Sequence, residues 1–373
     1  MRIAFSAAVF AAGCARGATR ALAPAPAAID TVWYVSSRAR VDGRDTRQNA
    51  DSLEYGFAIF ARKPSDDLRA GALSVSLVDS ARLTAGEFVA KLRARTLAVA
   101  SPHDYAVLYV HGYATSLHEA WMYANVAHAR TGSAAPWIAF CWPSNGSGFA
   151  VPRRQQLFAR AYREDSAAAS VSHSAFAQAT RVVLEAVGAS RLVLAPHSLG
   201  AQIVGETLAG DTDLRGFLGQ TPLRAVAFIA PDIEWRRFAE YIVPAVQPLT
   251  RRLLLYTSTR DRVLALSRSM NASRRAGLHN GAPLVRVGLE TVDVTMGVSV
   301  GGWLQQTFGT HHAIRRASAT LFDLAWVVGP ERVADCRLTI GTGVRGEDDV
   351  WRLTPLLPNS DIVVERCSPM ERR

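Results

Sequence analysis

The stretch Leu192-Val193-Leu194-Ala195-Pro196-His197-Ser198-Leu199-Gly200-Ala201-Gln202-Ile203 decides how this chain is read. Its first residues form an apolar run of strand length, and the residues from Ala201 onward have the spacing of an apolar helix. Between the two, Ser198 stands on an abrupt strand-to-helix turn. Such a turn strains the backbone at the serine and exposes its hydroxyl at the edge of a sheet, so small residues are wanted two positions to either side. Gly200 meets that demand on one side, whereas the other side carries Pro196. If the proline spoils the turn, Ser198 reduces to an ordinary helix-capping serine.

Working outward, apolar runs of strand length recur at 31–36, 55–61, 107–110, 137–142, 191–195, 225–230, 253–256 and 284–294. Three-to-four-residue apolar spacing marks helices at 117–129, 167–187, 203–208, 238–246 and 313–327. Strands alternating with helices predict an α/β chain with a mostly parallel sheet covered on both faces. Residues 1–28 read as a signal sequence and an Ala-Pro linker, 29–330 as the main domain, and 331–373 as a small β-rich C-terminal extension with a Gly341-Thr342-Gly343 turn.

Open parallel sheets bind ligands beyond the carboxyl ends of their strands, which directs attention to three further stretches. Val107-Leu108-Tyr109-Val110-His111-Gly112-Tyr113 is a buried strand running into His-Gly, suited to a loop that donates one N–H to an oxyanion. The second donor is then the residue after the serine, so the two amides are those of Tyr113 and Leu199. Leu253-Leu254-Leu255-Tyr256 runs through a short loop to Asp261, where an acid that orients an imidazole belongs, and Asp232 after the 225–230 strand competes with it. A general base must follow. Beyond Asp261 the histidines are His279, in a His279-Asn280-Gly281 turn that reads as surface, and the adjacent pair His311 and His312. No carboxylate or histidine cluster with ligand spacing accompanies that pair, so no metal is expected, and acyl transfer needs no cofactor. Trp142, Trp121, Tyr123 and Phe149 are candidates for lining a pocket, against a plain core role. Asp165 reads as a helix cap, or with Tyr162 as a shaper of the pocket.

Together these motifs resemble bacterial α/β-hydrolases, an esterase/lipase-like group catalogued as domain of unknown function number 900. The resemblance covers roughly 31–328. It rests on Tyr55-Gly56, Val110-His111-Gly112-Tyr113, Phe140-Cys141-Trp142-Pro143-Ser144, Tyr162 with Asp165, His197-Ser198-Leu199-Gly200, Ala230-Pro231-Asp232, and Asp261-Arg262 leading to Ser267. It implies the α/β-hydrolase fold and a serine hydrolase acting on an ester-like substrate through Ser198, Asp261 and a histidine. Relatives place that histidine about twelve residues before an Asp-Leu pair, which selects His311 over His312 given Asp323-Leu324. An acyltransferase would use the same triad. A non-catalytic envelope binding or scaffold module on the same fold is the reading that Pro196 favours.

Of 373 residues, 49% are hydrophobic and 20% charged, the balance of a folded chain. The net charge of +10 is carried by scattered arginines, only Lys63 and Lys91 being lysine, with no aromatic-interleaved basic stripe. Nucleic acid is therefore not an expected partner. The expected partner is a small ester-like molecule. Met1-Arg2, the apolar run 3–12 and Gly13-Cys14 resemble a bacterial lipoprotein signal with Cys14 as the lipidated residue. An ordinary cleaved signal is the alternative. Both predict export, to the periplasm or to an envelope membrane through the lipid anchor. Cys336 and Cys367 flank a segment that a disulfide could staple, in keeping with export, whereas Cys141 lies inside a strand pattern as a small buried hydrophobe.

Overall fold

Five strands of five residues each have every side chain buried: β4 (Ala106–Val110), β5 (Trp137–Cys141), β6 (Leu192–Pro196), β7 (Ala225–Ile229) and β8 (Leu253–Thr257). Strands apolar at consecutive positions must be covered on both faces. The computed structural model describes residues 28–42, 44–62, 75–99, 105–131, 134–144, 155–296, 311, 320–321, 323–324 and 343–353. Alternate side chains of the five strands enter two separate cores. Leu108, Val110, Ile138, Phe140, Leu194 and Phe228 belong to one, and Tyr109, Trp137, Ala139, Val193, Ala227 and Tyr256 to the other.

The flanking strands are β1 (Ala28–Val41), β2 (Arg44–Arg62) and β3 (Val75–Leu83) on one side, and β9 (Glu290–Asp293), β10 (Gly343–Arg345) and β11 (Trp351–Leu353) on the other. The sheet runs in the order β10-β11-β9-β8-β7-β6-β4-β5-β1-β2-β3. Pairing is parallel from β11 through to β1, with antiparallel edges at β10–β11 and β1–β2–β3. The chain leaves β4 for β5 on one side and later returns to lay β6 on the other. The crevice between the ends of β4 and β6 is therefore the topological switch point, where a ligand site is expected.

The helices are α1 (Ala85–Leu97), α2 (Leu117–Thr131), α3 (Gln155–Ser170), α4 (His173–Val187), α5 (Gly200–Gly210), α6 (Thr212–Gln220), α7 (Val243–Val246) and α8 (Arg262–Asn271), with a π-helical turn over Arg237–Ile242. The periodic stretch 167–187 is two helices, not one. They break at Val171-Ser172, where the Ser172 hydroxyl donates to Ala168 O at 2.8 Å and Asn49 Nδ2 donates to the Val171 carbonyl. The apolar run 284–294 contributes strand only from Glu290, because a tight turn bonds the Leu289 amide to Arg286 O. The edge strand β3 escapes sequence reading because most of its side chains face solvent. Helix α1 did carry a legible signal: Thr84 and Glu87 form a capping box at its start.

Cys14, Phe149, His312, Cys336 and Cys367 lie outside the described residues. Among the described residues no helix is long and apolar enough to cross a membrane, and no group of three or more His, Cys, Asp or Glu side chains could hold a metal ion.

Candidate active site

At the end of β6 the backbone turns at Ser198, whose φ is +54°. A left-handed φ costs a non-glycine residue about 1–2 kcal/mol, so the turn must be held by its surroundings. The Ser198 amide donates to Ile229 O at 3.1 Å, and the Ser198 carbonyl accepts from Asp232 N at 3.1 Å. On the next turn Gly200 packs so tightly that an added Cβ would stand 2.4 Å from His111 O and 2.6 Å from Val110 O. No larger residue fits there. A Cβ on Gly112 would stand 2.7 Å from the Ser198 Cβ, so the loop after β4 and the turn after β6 are in direct contact.

Pro196 is absorbed at a definite place. On the β4 side the ladder is continuous, with Tyr109 opposite Ala195, Val110 opposite Pro196, and His197 N donating to Val110 O at 2.9 Å. On the β7 side, register pairs occur at Val193↔Ala225 and Leu194↔Val226 and then not until the isolated bridge His197↔Ile229. Amides alternate sides along a strand, so the proline nitrogen faces β7 and its missing N–H coincides with that gap. The ladder loses a rung, and the turn at Ser198 still forms.

The Asp261 carboxylate divides its two oxygens. Oδ1 accepts from Leu264 N at 2.9 Å, capping α8, and Oδ2 lies 2.8 Å from His311 Nδ1. Both residues are almost fully buried. His197, next to the serine, places its Nε2 2.7 Å from the His311 carbonyl oxygen, and the two rings lie 4.9 Å apart. Nε2 must be protonated to donate there, which assigns the His197 tautomer.

Asp232 is held by other groups. Its Oδ1 accepts from Arg275 Nε at 2.6 Å and Ser267 Oγ at 2.7 Å, and its Oδ2 from the Tyr162 hydroxyl at 2.8 Å. Burial, then the neighbouring Asp232 carboxylate, pushes the Tyr162 hydroxyl above the usual phenol range. His279, read from sequence as surface, is buried with its Nε2 3.4 Å from Asp293 Oδ1. Burial alone would raise the Asp293 carboxyl, yet the His279 ring beside it and the bonds from Thr295 outweigh it and hold the group below its ordinary value. A depressed carboxyl stabilises the fold above the unfolded-state value, and that contribution is lost as pH falls through the folded-state one. The expected result is an acid limb below about pH 4 in a plot of stability against pH, flatter in Asp293→Asn, checked by urea unfolding.

Tyr113 is half-buried with its ring 6.0 Å from Tyr162. Trp142 lies behind this loop, stacked on His111 at 5.1 Å and donating Nε1 to His111 O at 2.7 Å. Trp121 and Tyr123 are core residues, the former 4.5 Å from the Tyr34 ring. Of the suggested pocket aromatics, the three described ones therefore serve packing. Among the described residues no backbone carbonyl accepts from the Leu199 amide.

Among solved structures, the chain is similar to a protein from Thermoplasma acidophilum described as a predicted CIB-like hydrolase, at 14% identity, covering 80% of this chain and 99% of that one with a TM-score of 0.30. It is similar to an esterase of Pyrobaculum calidifontis at 13% identity, covering 81% and 85% with a TM-score of 0.32. A thermostable carboxylesterase from a metagenomic library matches at 13% identity, covering 82% and 91% with a TM-score of 0.31. No curated protein matches. The model of the family described as alpha/beta hydrolase of unknown function (DUF900) matches residues 89–300, more than half of the chain and the span that holds β4, the Ser198 turn and Asp261. With its mostly parallel sheet and its strand-to-helix serine, the chain belongs to that family of α/β-hydrolases.

Proposed function

We propose that the chain is a serine hydrolase of ester-like substrates, carboxylic esters or thioesters, with Ser198 as nucleophile, His311 as base and Asp261 as orienting acid. The observation that carries this is the buried His311 Nδ1 to Asp261 Oδ2 contact of 2.8 Å, at the same sheet edge as a serine with φ +54°. Asp261 Oδ2 accepts a hydrogen bond from the His311 Nδ1–H and so leaves the Nε2 lone pair of His311 to take the hydroxyl proton of Ser198. The alkoxide attacks the carbonyl carbon, and the oxyanion is held by the amides of Tyr113 and Leu199. When the tetrahedral intermediate collapses, His311 returns the proton to the leaving alcohol or thiol. Water then repeats the sequence on the acyl-enzyme and releases the acid. His197 steadies the base through its backbone carbonyl. The resemblance of the first fourteen residues to a lipoprotein signal supports an exported, envelope-anchored enzyme with Cys14 as the lipidated residue.

The test is labelling of the purified protein by a fluorophosphonate beside its Ser198→Ala variant. Labelling is expected in the wild type alone, with hydrolysis of p-nitrophenyl esters lost in parallel. A variant that still labels would remove Ser198 from its role. A folded wild type that never labels would bring the binding-module reading forward.

A further inference from the structure

Tyr113 is followed by Ala114, which is held at φ +50°. Alanine has none of glycine's freedom there, so the conformation persists only if neighbouring groups impose it. Both polar atoms of the peptide linking Tyr113 to Ala114 are bonded. The Ala114 amide donates to Asp165 Oδ2 at 2.9 Å, and the Tyr113 carbonyl accepts from Thr115 Oγ1 at 3.2 Å. The Thr115 amide donates to Ser144 Oγ at 2.9 Å, and the Ser144 hydroxyl donates to the same Asp165 Oδ2 at 3.0 Å. From β1, Arg38 closes the other side, donating Nη2 to Thr115 O at 2.6 Å and Nη1 to Ser144 O at 2.8 Å.

Asp165 lies in the interior of α3 and is fully buried. The capping role expected from its sequence is therefore not its role: the amide and the hydroxyl that donate to it, from Ala114 and Ser144, belong to other segments. Burying a carboxylate is costly, and this one accepts from a strained turn one residue beyond Tyr113.

We propose that Asp165 is the positioning residue of the oxyanion loop. Acting directly on Ala114 and through Ser144 on Thr115, it fixes the Tyr113–Ala114 peptide, which adjoins the Gly112–Tyr113 peptide carrying the Tyr113 amide, with Arg38 as a second clamp. This rests on the hydrolase reading above. Without the carboxylate, Ala114 relaxes out of its left-handed conformation, the Tyr113–Ala114 peptide turns, and the adjoining peptide that carries the Tyr113 N–H loses its support on that side.

The experiment measures second-order labelling by a fluorophosphonate, with kcat and KM for p-nitrophenyl butyrate, in the wild type and four variants. Asp165→Ala is expected to slow labelling and kcat by roughly 10- to 100-fold with KM little changed, short of the loss from deleting a donor outright. Asp165→Asn should stay within about threefold of wild type, because one amide oxygen can accept both bonds. Adding Ala114→Gly to Asp165→Ala should recover about tenfold, since glycine adopts φ +50° unaided. Ser144→Ala should show a smaller loss of the same kind. A residue that only supports folding would lower the melting temperature and would not respond to Ala114→Gly. Wild-type rates in folded Asp165→Ala, or no recovery with glycine, would overturn the assignment. If Asp165→Ala does not fold, an unchanged rate in Ser144→Ala overturns it instead. A wild type that never labels would overturn the hydrolase reading itself, and this assignment with it.

Discussion

Asp261→Asn is expected to cut turnover of a p-nitrophenyl ester by about 10⁴-fold while leaving the melting temperature almost unchanged. The separation arises because the two carboxylate oxygens have different tasks. An asparagine oxygen still accepts from Leu264 N and caps α8 as well as aspartate does. Its amide nitrogen then faces His311 Nδ1, and as a donor it requires a lone pair there. The imidazole is driven to the tautomer protonated on Nε2, which cannot take a proton from serine. Thermal unfolding and steady-state kinetics on the same preparation check both halves. Turnover within tenfold of wild type would remove Asp261 from the triad.

Arg275→Met should produce the largest loss of stability of any single change considered. Arg275 and Asp232 are both nearly inaccessible, with side-chain exposures of 5% and 2%, and the guanidinium also donates Nη2 to Asp232 O at 2.9 Å. Removing the cation leaves a buried carboxylate whose oxygens accept, among the described residues, from Ser267 and Tyr162 alone. Breaking such a pair typically costs about 3–5 kcal/mol, a fall on the order of 10 °C in melting temperature. Because the Asp232 amide also holds the Ser198 carbonyl, the loosening reaches the serine turn. Pairing the change with Asp232→Asn should recover much of the loss, since no unpaired charge remains. Calorimetry of the single and double variants decides it, and a loss below about 1 kcal/mol in the single variant would show that water reaches the site.

The contrast between Asp261 and Asp232 shows what could be read from the chain and what could not. Both follow apolar strands, and the sequence favours Asp261 with Asp232 as its competitor. The partners of Asp232 lie 70, 35 and 43 residues away, in Tyr162, Ser267 and Arg275, and nothing local announces them. Asp165 was obscured in the same way, its amide partner being 51 residues distant. The serine turn was legible because strand, turn and helix are contiguous and Gly200 answers a local steric demand. His311 could be preferred to His312 only through resemblance, since periodicity says nothing about which of two adjacent histidines meets a carboxylate. His279 looked like a surface turn because Asn280-Gly281 follows it. Asp293, beside which it is buried, sits on a strand of four residues, Glu290–Asp293, shorter than the apolar run 284–294 suggests.

The last strand to join the sheet has a consequence for how the molecule is made. β11 pairs with β9 through Trp351↔Val292 and Arg352↔Asp293, and Trp351 is buried in the core beside Val292. The chain emerges from its N-terminus, from the ribosome or from the channel that would export it, so β9 is free for an interval before residues 343–353 follow. Throughout that time β9 is an open edge, the kind of surface through which nascent chains stick to one another. Its brevity and its terminal Asp293 blunt the hazard, and the late hairpin ends it by covering the exposed rungs.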